Sequence, residues 1–357
     1  QVARARAQLA VWPSSARRRR VVAPPAMAVP PVLRRLARPA VQVWTRAAPA
    51  LPVVLPAPAA STSLRRRMAS LPPGTVDDDG RSFTANSYIS LGAFETMGGD
   101  VGRMATGIAY LEEAVRMQEA EHASEADPRR RAARAVGLAQ SLLQVGRQHH
   151  QQQDPQEAIN HYERATNLVE EALAFRETES QGNVKARKAL EYCRFILSEI
   201  CSSNGVAYND VGREDDALAA LQRALALRKE TVGNNHPSVA ECLNNLGAMY
   251  FSRGALQKAA EHYEQALDLL VAAAEGRQEG AYVALTLYNI GVCRSGLGQM
   301  EASVTALKRA LRIAEQALGS EHRQVELIRE TLRQGPPPPP TPKRPVEEGQ
   351  AQPDANS

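Results

Sequence analysis

The sequence predicts an all-α fold, a solenoid of stacked helix–turn–helix repeats, and three observations predict it. The first is the stretch LNNLGAMYFSRGALQKAAEHYEQAL at 243–267. Leu243, Leu246 and Tyr250 recur at helical spacing on one face of a first helix, Gly247 lets a second helix approach, and Gly254 turns the chain. Ala259 and Ala266 are the small residues of the second helix, with Tyr263 filling the core between them. The second observation is recurrence: glycine and alanine stand 19 residues apart at Gly146 and Ala165, Gly205 and Ala224, Gly247 and Ala266, and Gly291 and Ala310. The third is that the register holds inside each unit. Seven residues before each alanine stand Ala158, Ala217, Ala259 and Ser303, all small; three before stand Tyr162, Leu221, Tyr263 and Leu307, all large. A turn glycine recurs at Gly212, Gly254 and Gly298, and Gln153 takes its place in the first of the four.

Taken in order, the chain begins with a segment unlike the rest. Residues 1–76 hold 13 Arg and no Lys, Asp or Glu. The formal charge of +4 over 357 residues is therefore misleading, because the remainder carries 30 basic against 39 acidic residues, a net charge of −9. The fold itself is acidic, and the basic isoelectric point is no argument that it binds nucleic acid. Residues 1–68 are too interrupted by proline to build a core and are expected to be disordered. From Met27, MAVPPVLRRLARPAVQVWTRAA sets Leu33, Leu36, Val43 and Trp44 among Arg34, Arg35, Arg38 and Arg46, and so resembles a mitochondrial transit peptide; RRRMAS at 65–70 resembles a processing site after Met68. The alternative is that Met68 is the start and the upstream residues are an untranslated leader, since the sequence opens with Gln. The first reading places the protein in mitochondria and the second in the cytoplasm. Residues 69–84, with Pro-Pro-Gly and Asp77 to Asp79, read as a linker.

The solenoid is expected over 85–333. A degenerate repeat occupies 85–120, where Leu91, Gly92 and Gly99 match the first helix and turn, but Gly92 and Ala114 are 22 residues apart, an insertion of three. Asp127 and Pro128 suit the cap and first position of a new helix. Repeats follow at about 135–175, 191–232, 238–275 and 281–319. Their key alanines lie 59, 42 and 44 residues apart. Gly233 and Gly319, each nine residues beyond a key alanine, are expected helix ends. Val325, Ile328 and Leu332 give 321–333 the stripe of a short capping helix. Residues 334–357 form a proline-rich tail, expected to be disordered, in which Pro339, Pro342 and Arg344 fit a P-x-x-P-x-R ligand for a proline-binding domain.

Chemistry-bearing patterns are absent. No phosphate loop, G-x-S-x-G or H-E-x-x-H occurs, and no catalytic residue, cofactor site or metal site is assigned. Cys193, Cys201, Cys242 and Cys293 lack C-x-x-C spacing and read as buried packing residues. His149, beside His150, reads as a partly buried histidine at a repeat junction. No apolar run reaches the roughly 20 residues of a membrane span. The chain is not expected to be an enzyme.

The repeat pattern resembles the tetratricopeptide repeat, which implies a right-handed α-solenoid. The commonest form of that repeat has a period of about 34 residues, whereas the present spacing is longer and the usual proline is replaced by Glu170, Lys229, Val271 and Glu315. With VGNNHPSVAECLNNLG before the 243–267 stretch and LGSEHRQVE at 318–326, residues 135–333 are similar to the long-linker repeats of kinesin light chains, although Arg323 stands where the earlier linker has Pro237. The heptad coil that light chains use for motor binding has no counterpart before residue 84. The resemblance implies a non-catalytic scaffold whose first helices line a groove for a protein or peptide partner. The positions it carries over are Gln144, Arg147, Asn209, Asn244, Asn245, Ser252, Tyr288 and Asn289. Amides suit such a groove because one side chain both donates and accepts, but the same asparagines equally suit hydrogen bonds between repeats. The Lys/Asn/Arg clamp of some relatives is not reproduced, since Leu143, Ala248 and Leu285 occupy polar positions of that clamp. An assembly factor or accessory subunit of a mitochondrial complex is the expected role. The alternatives are a cytoplasmic cargo adaptor of kinesin-light-chain type and an organellar RNA binder. The last is disfavoured because the groove offers Glu199 and Glu241 against a single Arg147.

Overall fold

The structure is a computed structural model that describes residues 84–96, 101–179, 184–274 and 280–336. The readings made for the leader, linker, Gly99 and the proline-rich tail lie outside these residues. Eleven α-helices and no strands are present among the described residues. In chain order they are α1 (Ala85–Thr96), α2 (Val101–Ser124), α3 (Pro128–Gln151), α4 (Pro155–Glu179), α5 (Val184–Asp210), α6 (Glu214–Val232), α7 (Pro237–Ser252), α8 (Leu256–Ala274), α9 (Ala281–Gly296), α10 (Met300–Leu318) and α11 (Arg323–Gln334). Five successive pairs form hairpins, each packed on the next, and α11 closes the last.

Each hairpin is zipped at its glycine. A Cβ placed on Gly146, Gly205, Gly247 or Gly291 would lie 2.5–2.7 Å from the side chain of Tyr162, Leu221, Tyr263 or Leu307 respectively, nearer than any real contact. The small residues four before and three after those large side chains are equally tight: Ala158, Ala165, Ala217, Ala224, Ala259, Ala266 and Ala310 are fully buried, and Ser303 is accommodated because its Oγ donates to the Gly291 carbonyl at 2.7 Å. The first hairpin obeys the same rule with its three-residue insertion, since a Cβ on Gly92 would meet Leu111 at 2.5 Å and Ala114 is fully buried.

The four later turns are built alike. The amides of Gln153, Gly212, Gly254 and Gly298 reach carbonyls three residues back, and those of Asp154, Arg213, Ala255 and Gln299 reach carbonyls five residues back, the two bonds of a Schellman turn. Such a turn needs a left-handed residue, and the three glycines have φ of 83, 76 and 77°. Gln153 adopts the same conformation at φ 69° without being glycine.

Links between hairpins differ in length. Helices α3, α4 and α5 run 24, 25 and 27 residues against 16 to 19 in α6 to α10, which accounts for the 59-residue spacing. The third hairpin accordingly begins at Val184 rather than near residue 191, and the second at Pro128, where Asp127 accepts from the Arg130 amide at 2.9 Å. Gly233 and Gly319 end α6 and α10 at φ of 84 and 87°. The following helices are capped by His236 and His322, whose Nδ1 atoms accept from the amides of Ser238 and Gln324 at 3.2 Å. On α11, Val325 and Ile328 are fully buried against α9 and α10, with Leu332 beside them.

Second helices are tied across the rim by ion pairs at a fixed offset, Arg164 with Glu119 and Arg223 with Glu170. The arginine precedes a key alanine and the glutamate lies five residues beyond the previous one; the same positions farther on hold Gln265 and Lys229, then Arg309 and Val271.

Replacing Ala266 with Leu is expected to overpack the α7–α8 hairpin and cost about 1–3 kcal/mol, whereas Gln153→Gly relieves a left-handed side chain and should add up to about 1 kcal/mol. Urea unfolding of both variants checks the register, and equal midpoints for Ala266→Leu and the parent would contradict it.

Candidate functional site

The first helices α3, α5 and α7 place a polar strip side by side. On α3 the open positions are Gln140, Gln144, Arg147 and His150, spaced three or four residues apart so that they share one face. All but Gln144 meet a counterpart on α5. Gln140 donates to the Tyr192 hydroxyl at 2.8 Å, Arg147 donates to Glu199 at 2.8 Å and to Ser203 at 3.3 Å, and His150 lies 2.7 Å from Asp210. Helix α7 joins α5 in the same way, as Asn245 donates to Ser202 at 2.8 Å and Ser252 to Asn209 at 2.8 Å. The polar groups expected to grip a ligand therefore form hydrogen-bonded rungs from one repeat to the next. Gln144 has no such rung among the described residues.

The strip ends at α7. Every residue of α9 from Val283 to Cys293 is buried. Tyr288 is 1% exposed with its hydroxyl 3.5 Å from Thr331 of α11, and Asn289 is buried as well. Neither lies on an open groove, which corrects the expectation for both. The reason is visible in AYVALTLYNIGVC, which is apolar on all sides, as a helix surrounded by neighbours must be. Asn244 is also buried, donating to Thr286 of α9 at 3.0 Å while its Oδ1 finds no partner. Leu143 and Leu285 are buried too, and Ala248 is half-exposed on the strip.

Behind the strip lies a buried guanidinium that the sequence pattern did not single out. Arg228 on α6 is 1% exposed, stacks over the Phe195 ring at 4.4 Å, and bonds the same Glu199 carboxylate as Arg147. Burial would raise the Glu199 carboxyl, but the two guanidiniums outweigh it and hold it below the usual carboxylate range. Glu241 on α7 has neither arginine bonded to it, and burial followed by the nearby Glu199 charge pushes its carboxyl up. An Arg on the buried face of an amphipathic helix, in LALRKE at 225–230, was the available signal.

Histidines occupy the junction of the first two hairpins. His149 stacks on His161 with ring centres 5.3 Å apart, and Glu112 lies 3.7 Å from His149 Nε2, too far for a hydrogen bond. This is the expected packing role for His149. The four cysteines are free and buried, and burial pushes Cys201 up to about 11 and Cys242 and Cys293 up to about 12, so they are inert thiols. Among the described residues no three His, Cys, Asp or Glu side chains are placed to hold a metal ion, and no helix is long and apolar enough to cross a membrane.

Burial first, and then the His149 charge, lower the His161 imidazole below its ordinary value. The folded chain thus resists a proton that the unfolded chain accepts. Its contribution is complete above the ordinary imidazole value of about 6.5 and is lost as pH falls below it, by at most about 1.4 kcal/mol per pH unit. Chemical unfolding from pH 7.5 to 5 should show a steeper fall in stability for the parent than for His161→Phe; parallel curves would contradict this.

Comparison with known proteins agrees with this architecture. Family models described as tetratricopeptide repeat match residues 199–270 and 283–324. Two Arabidopsis thaliana proteins, kinesin light chain-related 3 and kinesin light chain-related 2, are 28% and 29% identical over 126 residues. Those matches cover 34% and 35% of this chain but 18% and 19% of the relatives, so the similarity spans about a fifth of their length. Among solved structures, BtubC (BKLC) from P. vanneervenii aligns with 71% of this chain and 92% of its own, at 19% identity and a TM-score of 0.37.

Proposed function

The chain is a tetratricopeptide-repeat protein of the kinesin-light-chain-like type, and on that premise we propose that it is a non-catalytic scaffold that holds a partner segment along the polar strip of α3, α5 and α7. The repeats make it a protein-interaction scaffold; the strip is our assignment of where the partner lies. The observation that carries it is that this strip combines unpaired polar capacity with an open face. Gln144 is wholly available, Asn245 keeps its Oδ1, Asn209 keeps its amide N–H groups, and Ala248 leaves room between them. Each hydrogen bond to a partner backbone contributes about 0.5–1.5 kcal/mol net, so several together are needed.

The expected setting is a mitochondrial complex, for which the support is the arginine-rich, acid-free stretch 27–68. The second reading, a cytoplasmic cargo adaptor, is favoured by the kinesin light chain-related matches. A reporter fused behind residues 27–68 separates the two: mitochondrial import supports the first, and a cytosolic reporter removes it.

Changing Gln144 to Ala together with Ala248 to Trp should weaken partner capture about tenfold or more through one lost hydrogen bond and a filled groove. The melting temperature should change little, because both positions are on the strip. Lys308→Ala and Gln257→Ala on the exposed outer helices are the controls. Quantitative copurification with parent, double variant and controls is the measurement, and an unchanged partner yield for the double variant would move the binding surface elsewhere.

A further inference from the structure

Three of the four in-register hairpins carry an aromatic ring on the first helix, three residues after the zipping glycine, at His149, Tyr208 and Tyr250; the last has Arg294 there. Four residues before the key alanine, the second helices carry His161, Ala220, His262 and Ala306. Where both positions hold rings, the rings meet: His149 lies 5.3 Å from His161 and Tyr250 lies 5.1 Å from His262, centre to centre. Where only the first does, the Arg213 guanidinium covers Tyr208 at 4.2 Å. The α9–α10 hairpin has no ring at either position.

The missing volume shows as a groove of about 780 Å³ between the second helices α8 and α10. Leu287 and Ile290 of α9, both buried, form its floor. Leu267 of α8 and Ala306 of α10 also line it, and Met300 stands at its edge, 54% exposed. Arg294 faces the same groove and donates to Glu264 at 2.7 Å. A guanidinium bonds a carboxylate through its edge, which leaves its planar faces available. Arg213 and Arg228 use both at once in this chain, bonding Asp216 and Glu199 while stacking over Tyr208 and Phe195.

We propose that this groove is a second docking site, separate from the strip, and that it takes an aromatic side chain presented by a partner protein segment. An apolar floor, a guanidinium face and a thioether are the three surroundings that favour a ring. Two other hairpins of the stack already place paired rings at these positions, so the partner supplies what the last hairpin lacks. The groove is larger than one side chain, so residues flanking the ring lie along it. A partner is favoured over this chain's own groups. The tail at 337–357, which follows the adjacent α11, has no aromatic residue, and Tyr192, the exposed ring among the described residues, is hydrogen-bonded to Gln140.

The experiment uses the full chain with isotopically labelled methionine methyl groups, the Met300 signal being assigned from Met300→Leu. The probes are peptides of about ten residues with identical polar flanks and a central Trp, Tyr, Leu or Ala. Trp and Tyr peptides are expected to shift the Met300 methyl by ring current and to bind at least about threefold tighter than the Leu peptide. Arg294→Tyr with Ala306→His copies the Tyr250–His262 pair into the groove and should abolish peptide binding there without lowering the melting temperature. Arg294→Gln keeps the groove open but removes the cation, and should bring Trp and Tyr down to the Leu level. Equal binding of Trp and Leu peptides by the parent, or no Met300 shift with any peptide, overturns the proposal. Aromatic preference that survives unchanged in Arg294→Gln overturns the assignment to this groove. A Met300 methyl already ring-shifted before peptide is added puts one of the chain's own rings in the groove, from the same or a second copy, and overturns the partner.

Discussion

The whole molecule depends on one steric exchange, a missing Cβ for a large side chain. At Gly146, Gly205, Gly247 and Gly291 the second helix of a hairpin drives a tyrosine or leucine into the space a side chain would occupy. Close approach of the two helices follows from it, and with it the burial of the small residues and the common register of all four hairpins. The alternation of tyrosine and leucine carries a cost. The hydroxyls of Tyr162 and Tyr263 are buried without a partner, so the ring volume that seals the hairpin outweighs an unmet hydrogen bond, which is the expected ranking when packing and polar satisfaction compete.

Because that exchange is local, the hairpins were legible in the sequence. The partners lie 16 residues apart on one chain segment, as Gly247 and Tyr263 do, and a fixed spacing reports them directly. The turns were legible for the same reason, down to the exception at Gln153. Links were less so: the start of α5 at Val184 was missed because the stretch from 184 to 196 has no glycine or proline to mark its limit and extends beyond the repeat pattern. The histidine caps at His236 and His322 were invisible because imidazole is not among the usual capping groups.

The strip was the least legible part. Sequence places Asn244, Asn245, Tyr288 and Asn289 on first helices but does not say how many neighbours surround each one. Residues 42 or 43 positions apart, such as Asn244 with Thr286 and Asn245 with Ser202, decide whether an amide is available to a ligand. Such pairings belong to the stack and not to any one repeat. Burial of α9 is likewise a property of its position between four helices, and only its lack of a polar face hinted at it. Arg228 shows the converse, a charged residue whose partner Glu199 lies on the preceding helix and whose burial no single-repeat pattern announces.

The rim pairs Arg164–Glu119 and Arg223–Glu170 lie far from the strip and bear on how the superhelix deforms. Exposed pairs of this kind contribute at most about 1 kcal/mol each, little for stability but enough to matter for a soft bending mode. A solenoid is a spring whose outer edge must lengthen when its inner edge closes. Here two outer-edge junctions, those that link α2 with α4 and α4 with α6, carry a pair of this kind. Closing the inner edge at either junction therefore strains an ion pair on the outer one, so the stiffness of the spring there falls as ionic strength rises.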